Sequence, residues 1–345
     1  MKIAHLIETI ELGGVLRNLE TLMEHMGDVE HIRYDVSPRT SLPPVIPADQ
    51  LVVIHFTASW SKLPFLAALR AMRGRAPLVI VEHSYTEAYL RYNVPSPARF
   101  HAMLRLIYGM ADRVVAVSHG QGAWLKNLGV VSPSKVVVIP SSTYCGAFAG
   151  LALPSRRGPS NQPLHIGAYG RYHEQKGFGN LIHAMRGLPP GLASLTLAGV
   201  GPYTERLTAL AHTMPNVTVG GPTKDVAGFL GAIDLVAVPS RWESFGQVAL
   251  EARAAGRPLI ASSVDGLVEQ TGKECGWLVP EDNIPALTEA IIAASTADLQ
   301  LMGQAARLSA VGHLETSLNI WRTLTAELLH DQPAGDSIAR AAAAA

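Results

Sequence analysis

Two glutamates eight positions apart, Glu243 and Glu251, lie in Arg241-Trp242-Glu243-Ser244-Phe245-Gly246-Gln247-Val248-Ala249-Leu250-Glu251, directly after the apolar run Leu235–Val238 and Pro239-Ser240. That order predicts a buried strand, a short loop and a helix whose start carries the pair. On one helix the carboxylates would stand about 80° apart around the axis and about 12 Å apart along it. Groups so separated share neither a proton nor a metal ion. They suit two ends of one extended polar ligand, such as the sugar and the ribose of a nucleotide sugar. The spacing alone also fits two glutamates on a solvated helix.

A second group of chemistry-bearing residues precedes it. Gly170-Arg171-Tyr172-His173-Glu174-Gln175-Lys176-Gly177 follows the apolar segment 164–169 and precedes a helix-like stretch over 178–185. Here two cations flank a turn at a strand end. Nearer the start, Gly13-Gly14 follows the first apolar run, and His83 follows another in Val81-Glu82-His83-Ser84. A lone Gly-Gly is ordinarily a turn, and a lone histidine, such as His55 after its own apolar run, is ordinarily structural.

The elements that must position these residues follow from length and pattern. A chain of 345 residues is long for one core and fits two domains of about 150 residues each. Short apolar runs over 3–7, 51–56, 78–81, 114–117 and 136–139 predict strands buried on both faces, the mark of a parallel sheet covered by helices. The segment 150–163 is rich in proline, glycine and serine and reads as a linker. A second series then begins, with strands expected at 164–168, 195–198, 217–219, 235–238 and 259–261. The class is therefore α/β, with two doubly wound domains over 1–150 and 164–312 joined by 151–163. A helix is expected over 313–330, with the option of packing back on the first domain, and a frayed tail over 331–345. In open α/β sheets ligands sit beyond the carboxyl ends of the strands, where the motifs fall.

Composition narrows the partners. With 28 basic and 28 acidic residues the formal charge is zero, so no global basic excess points to nucleic acid. Only Cys145 and Cys275 occur; assigned to different domains, they argue against a disulfide framework or a cysteine metal site. The apolar run 3–7 is too short for a signal peptide, and no stretch nears the ~20 residues that span a bilayer. A cytoplasmic protein is expected, free or held at the cytoplasmic membrane face. The stretches 60–75 and 99–113 mix basic with large apolar residues; ordinary helix packing explains them better than a membrane surface does.

Taken together, Glu243-x7-Glu251 after Pro239-Ser240, Gly170-Arg171 with Lys176-Gly177, Leu197-Ala198-Gly199-Val200-Gly201-Pro202 and Gly13-Gly14 occur in the order that resembles the family-4 retaining glycosyltransferases of the GT-B fold, glycosyl transferases group 1. The resemblance is densest over 166–279 and thinner but continuous in the first domain. It implies two Rossmann-like domains facing across a cleft. It implies that Arg171 and Lys176 bind the diphosphate, that Glu251 holds the ribose diol, and that Glu243 faces the donor sugar with Ser244, Phe245 and Gly246 at the helix start beside it. Gly13 and Gly14 would approach a phosphate, Gly199 would lie in the nucleotide site, and His83 would lie at the donor sugar. Ser118, Asp234 and Glu269 also match family positions, Ser118 more plausibly as a helix cap.

The implied activity is retaining transfer of a hexose from a nucleotide-diphosphate sugar to a saccharide or lipid-linked acceptor, in polysaccharide or glycoconjugate biosynthesis. No metal or other cofactor is expected, since no Asp-x-Asp occurs and two side-chain cations stand where a divalent ion would. UDP, GDP and ADP all fit the motifs. Two departures stand out: Ile139-Pro140-Ser141-Ser142 where the family has Ile-Pro-Asn-Gly, and Asp265-Gly266 where it has Gly-Gly. The alternatives are a catalytically inactive nucleotide-sugar-binding regulatory subunit and a sugar-nucleotide epimerase of the same fold.

Overall fold

The computed structural model describes residues 1–8, 13–155 and 158–330. The described chain forms two units, one of residues 1–143 together with the helix His313–His330, the other of residues 144–311. Each holds one six-stranded sheet in which every pairing is parallel.

In the first unit the strands are β1 (Lys2–Glu8), β2 (Glu30–Val36), β3 (Gln50–Ile54), β4 (Leu78–Glu82), β5 (Arg113–Ala116) and β6 (Val136–Val138), in spatial order β2-β1-β3-β4-β5-β6. β3 and β4 are buried at every position, which is why they read as continuous apolar runs. β2 is different: Glu30-His31-Ile32-Arg33-Tyr34-Asp35-Val36 sits at the sheet edge and keeps its charges in solvent. No strand was expected there, because an edge strand needs no unbroken apolar run. The helices Leu63–Met72 and Pro97–Gly109 bury Phe65, Leu66, Leu69, Met103, Leu104, Ile107 and Tyr108, and Lys62 is itself buried. The mixed stretches are thus packed helices. No helix among the described residues is long and apolar enough to cross a membrane.

The helix His313–His330 completes this unit from the far end of the chain. It packs against β3, Arg113 pairs with Glu327 at 2.6 Å, and the Ser317 hydroxyl donates to the Pro140 carbonyl at 2.8 Å. The Ser141-Ser142 departure lies beneath it. His313 bonds the Ser141 carbonyl at 2.9 Å, and the Ser142 N–H donates to the Asn18 side chain at 3.1 Å.

The second unit has β7 (Leu164–Tyr169), β8 (Ala193–Ala198), β9 (Val217–Gly220), β10 (Leu235–Val238), β11 (Leu259–Ser262) and β12 (Gly276–Val279), in order β12-β11-β10-β7-β8-β9. β12, again at an edge and half exposed, was not expected as a strand. The boundary between the units falls after Thr143, so the described part of the 151–163 segment belongs to the second one. There the buried Arg257 donates to the Ala152 carbonyl at 2.8 Å, and Arg307 donates to the Leu151 carbonyl at 2.6 Å. Cys145, expected with the first domain, lies in the second unit with Cys275; neither is in a disulfide. Residues 156–157 and the tail over 331–345 lie outside the described residues.

Candidate active site

In each sheet the strand order reverses beside the first strand of the unit. The chain runs from β7 outward through β8 and β9, then returns to place β10 on the other side of β7. The loops that leave β7 and β10 therefore diverge, and the crevice between such loops is where α/β sheets take ligands. The residues 170–177 and 239–246 are those two loops.

They are tied together. The Lys176 ammonium donates to Glu243 Oε2 at 2.5 Å, and the Ser240 hydroxyl reaches the same oxygen at 3.4 Å. The Gln175 side chain donates to the Trp242 carbonyl at 3.0 Å, while the Arg241 N–H donates to the Gln175 carbonyl at 2.8 Å. Arg241 adds ion pairs to Glu174 and to Asp282. Gly177 makes the approach feasible: it holds φ +63, and a Cβ there would stand 2.0 Å from the Pro239 carbonyl oxygen. Arg171 is exposed at the mouth of the loop. It shares an electrostatic neighbourhood with Lys176, since after burial both cations push the His173 imidazole below its ordinary pKa.

The helix of the glutamate pair starts later than the spacing predicts. It spans Gln247–Ala254 with Gly246 as its N-cap residue, so Glu243 sits in the preceding loop and only Glu251 is helical. The Asp265 departure bears directly on that loop. Asp265 holds a left-handed φ of +42, and its carboxylate accepts the Glu243 N–H at 3.1 Å. The Gly266 N–H in turn donates to the Glu243 carbonyl at 3.1 Å. Phe245 is buried, and the carbonyls of Phe245 and Gly246 accept from the Gln270 side chain at 2.9 and 3.2 Å. Ser244 is half-buried on the same loop.

Glu251 is 3% exposed. It accepts a 2.5 Å hydrogen bond from the Tyr169 hydroxyl at the end of β7. Its negative charge, after burial, helps push the nearby Cys145 thiol up to about 12. Gly199 follows β8, and a Cβ on it would stand 2.0 Å from the Gly170 carbonyl oxygen. Its lack of a side chain is thus explained by the neighbouring loop. Asp234 accepts the His165 N–H at 2.9 Å at the opposite ends of the strands, and Glu269 is exposed on the short helix Leu267–Gln270.

The first unit repeats the arrangement. Its order reverses between β1 and β3, and a lysine–glutamate pair again bridges the two strand ends: Lys62 donates to Glu8 at 2.5 Å and to the Thr57 carbonyl at 3.0 Å. The motifs drew no attention to this pair, because the two residues are far apart in sequence and share no pattern. Gly13 and Gly14 are exposed, Gly13 as the N-cap residue of the helix Gly14–His25. Ser118 caps the helix His119–Leu128, accepting the Gln121 N–H at 3.1 Å. His83 follows β4, half-buried, and burial lowers its pKa to about 4. The loop that carries it is pinned by the buried Glu82, which accepts the Ser84 and Tyr85 N–H groups at 2.7 and 2.8 Å and the Tyr108 hydroxyl at 2.5 Å. His55 bonds His83 directly, Nδ1 to Nε2 at 3.2 Å.

Two parallel Rossmann-like sheets with loops of this composition define a class, and the comparisons with known proteins place the chain in it. Residues 163–296 match the family described as glycosyl transferases group 1, and residues 26–142 match glycosyltransferase family 4. The chain belongs to this family of glycosyltransferases. It is 30% identical over 232 residues to a D-inositol 3-phosphate glycosyltransferase of Segniliparus rotundus, a match that covers 62% of this chain and 51% of that protein. The chain spans about half the length of several of the curated relatives it matches. Among solved structures, Anabaena HepE in complex with UDP superposes with a TM-score of 0.73 at 20% identity, covering 94% of this chain and all of that one. Sucrose-phosphate synthase from Thermosynechococcus elongatus gives 0.76 at 21% identity, covering 96% of this chain and 100% of the other. The fold is GT-B.

Proposed function

We propose that the protein is a retaining glycosyltransferase that moves a hexose from a nucleoside-diphosphate sugar to a saccharide or lipid-linked acceptor. The observation that carries the reading is the join of Lys176 to Glu243 at the switch point of the second sheet, with Arg171 exposed beside it. A departing nucleoside diphosphate gains negative charge as the glycosidic bond breaks, and cations fixed there act where the barrier is highest. Arg171 and Lys176 take that role. Glu243 accepts from the sugar hydroxyls and stabilises the positive charge that develops on the sugar carbon and ring oxygen. Glu251 binds the ribose diol, because a carboxylate can accept from two adjacent hydroxyls.

The donor's own phosphate serves as the proton acceptor in this reading. The acceptor hydroxyl attacks from the face that the diphosphate leaves, and the departing phosphate takes its proton, which gives retention without a protein nucleophile. The cationic side chains do the work of a divalent ion, so the reaction is metal-independent. Gly13 and Gly14 approach the phosphates, and His83 contacts the donor sugar. UDP-sugars are the first donors to test, in view of the relative that binds UDP.

Purified protein is incubated with UDP-, GDP- or ADP-hexoses and candidate acceptors with and without a chelator, and nucleoside diphosphate release and product anomeric configuration are read. Release with a retained anomeric centre, unaffected by chelator, is expected. An inverted product would overturn the retaining assignment, loss of turnover with chelator the metal-independent one. Tight nucleotide binding with no product from any pair would favour a regulatory binding subunit.

A further inference from the structure

Four histidines cross four adjacent strands of the first sheet in spatial order: His31 on β2, His5 on β1, His55 just past β3 and His83 just past β4. Register explains the alignment. Ile3 pairs with His31, His5 with Val53, and Ile54 with Ile80. Each histidine therefore stands two residues nearer the carboxyl ends than the last, and the two-residue period keeps all four on one face. His31 Nδ1 lies 2.9 Å from His5 Nε2, His5 Nδ1 3.0 Å from His55 Nε2, and His55 Nδ1 3.2 Å from His83 Nε2. Successive ring centroids are 5.2, 5.2 and 5.5 Å apart.

Burial holds these rings neutral at pH 7, His5 at about 3 and His83 at about 4, with His55 well below its ordinary value and His31 also lowered. A neutral imidazole donates at one nitrogen and accepts at the other. Every link joins Nδ1 of one ring to Nε2 of the next. The four rings therefore share one tautomer, all Nδ1–H or all Nε2–H, because a single dissenting ring sets two N–H groups or two lone pairs face to face. Which of the two forms the row takes is common to all four rings, so a proton on one named nitrogen of His31 puts the proton on the same nitrogen of His83.

We propose that His31, His5 and His55 are positioning residues that hold His83 in the tautomer all four rings share, so that the nitrogen on which His83 carries its proton is set by hydrogen bonds running across four strands from His31. The consequence for sugar transfer rests on the preceding reading of His83 as a donor contact; the shared tautomer does not.

The test is long-range proton–nitrogen NMR of the full chain labelled with 15N-histidine, near neutral pH, with single His→Gln variants to assign the signals. All four rings in one and the same tautomer is the expected result; any mixture of Nδ1–H and Nε2–H rings overturns the proposal. Cutting the terminal link with His31→Phe, at a half-buried ring, is expected to shift the His83 nitrogens toward a tautomer average and to lower kcat roughly tenfold with little change in donor KM. Should that variant fail to fold, His31→Gln interrupts the same link at lower steric cost. An unmoved His83 signal in the folded variant overturns the positioning role. A wild-type protein that transfers no sugar would sink the donor reading and leave the tautomer result standing.

Discussion

Lys176 and Glu243 meet at 2.5 Å with side chains 20% and 12% exposed, and so join the loop that leaves β7 to the loop that leaves β10. The pair has two consequences. Without a ligand the glutamate neutralises and orients the lysine. Under the proposed reaction, the same lysine would face the departing diphosphate.

Replacing Lys176 with alanine is therefore expected to lower kcat by roughly 100-fold, about 2.7 kcal/mol of leaving-group stabilisation. Steady-state kinetics on the best donor measures it. Unchanged kcat would remove Lys176 from the chemistry.

Glu251 and Tyr169 give a prediction about binding and stability together. Tyr169→Phe removes the 2.5 Å donor to a carboxylate that is 3% exposed, and is expected to cost about 1–3 kcal/mol of stability. Glu251→Gln should instead weaken nucleotide affinity while the chain stays folded. Thermal melts with and without UDP, GDP and ADP separate the two, and equal nucleotide stabilisation in Glu251→Gln and wild type would refute the ribose assignment.

Asp265 trades backbone comfort for a hydrogen bond. Its φ of +42 costs an L-residue about 1–2 kcal/mol, but its carboxylate holds the Glu243 N–H. Asp265→Gly is expected to relieve the strain, leave the melting temperature nearly unchanged and reduce turnover by loosening Glu243. A variant as active as wild type would show that Glu243 needs no such anchor.

The buried histidines predict a pH profile of stability. Burial keeps His5 at about 3 in the folded chain, against about 6.5 when unfolded. Since the folded value is the lower one, the neutral ring's contribution is intact above about pH 6.5 and declines as pH falls through the window toward the folded value, by at most about 1.4 kcal/mol per pH unit. Urea unfolding from neutral pH down to about pH 5 should show at least that slope, since His31, His55 and His83 are lowered as well, and His5→Gln should reduce it by the share of one proton. A slope unaltered by the substitution would contradict the burial of a neutral ring.

Much of this was legible in the sequence. The central strands read as strands because both their faces are covered, and Lys176-Gly177 and Glu243-x7-Glu251 fall at strand ends as their flanking apolar runs imply. β2 and β12 were not legible, since an edge strand keeps polar residues that a continuous-run criterion rejects. Nor were Lys62 with Glu8, or the four histidines: His31, His5, His55 and His83 become neighbours only through the order β2-β1-β3-β4, which no local pattern encodes. The eight-residue spacing puts both glutamates at the helix start, but the helix begins after Gly246, so Glu243 stands in the loop and only Glu251 is helical.

The helix His313–His330 closes the first unit by packing on β3 and pairing Glu327 with Arg113. Synthesis from the N-terminus therefore reverses the order of completion. The first unit, though begun first, waits for residues that emerge after the whole second unit, which can fold while its predecessor still lacks a wall. A chain cut after residue 312 would hold the whole second unit and an open first one, for which the helix His313–His330 acts as the latch.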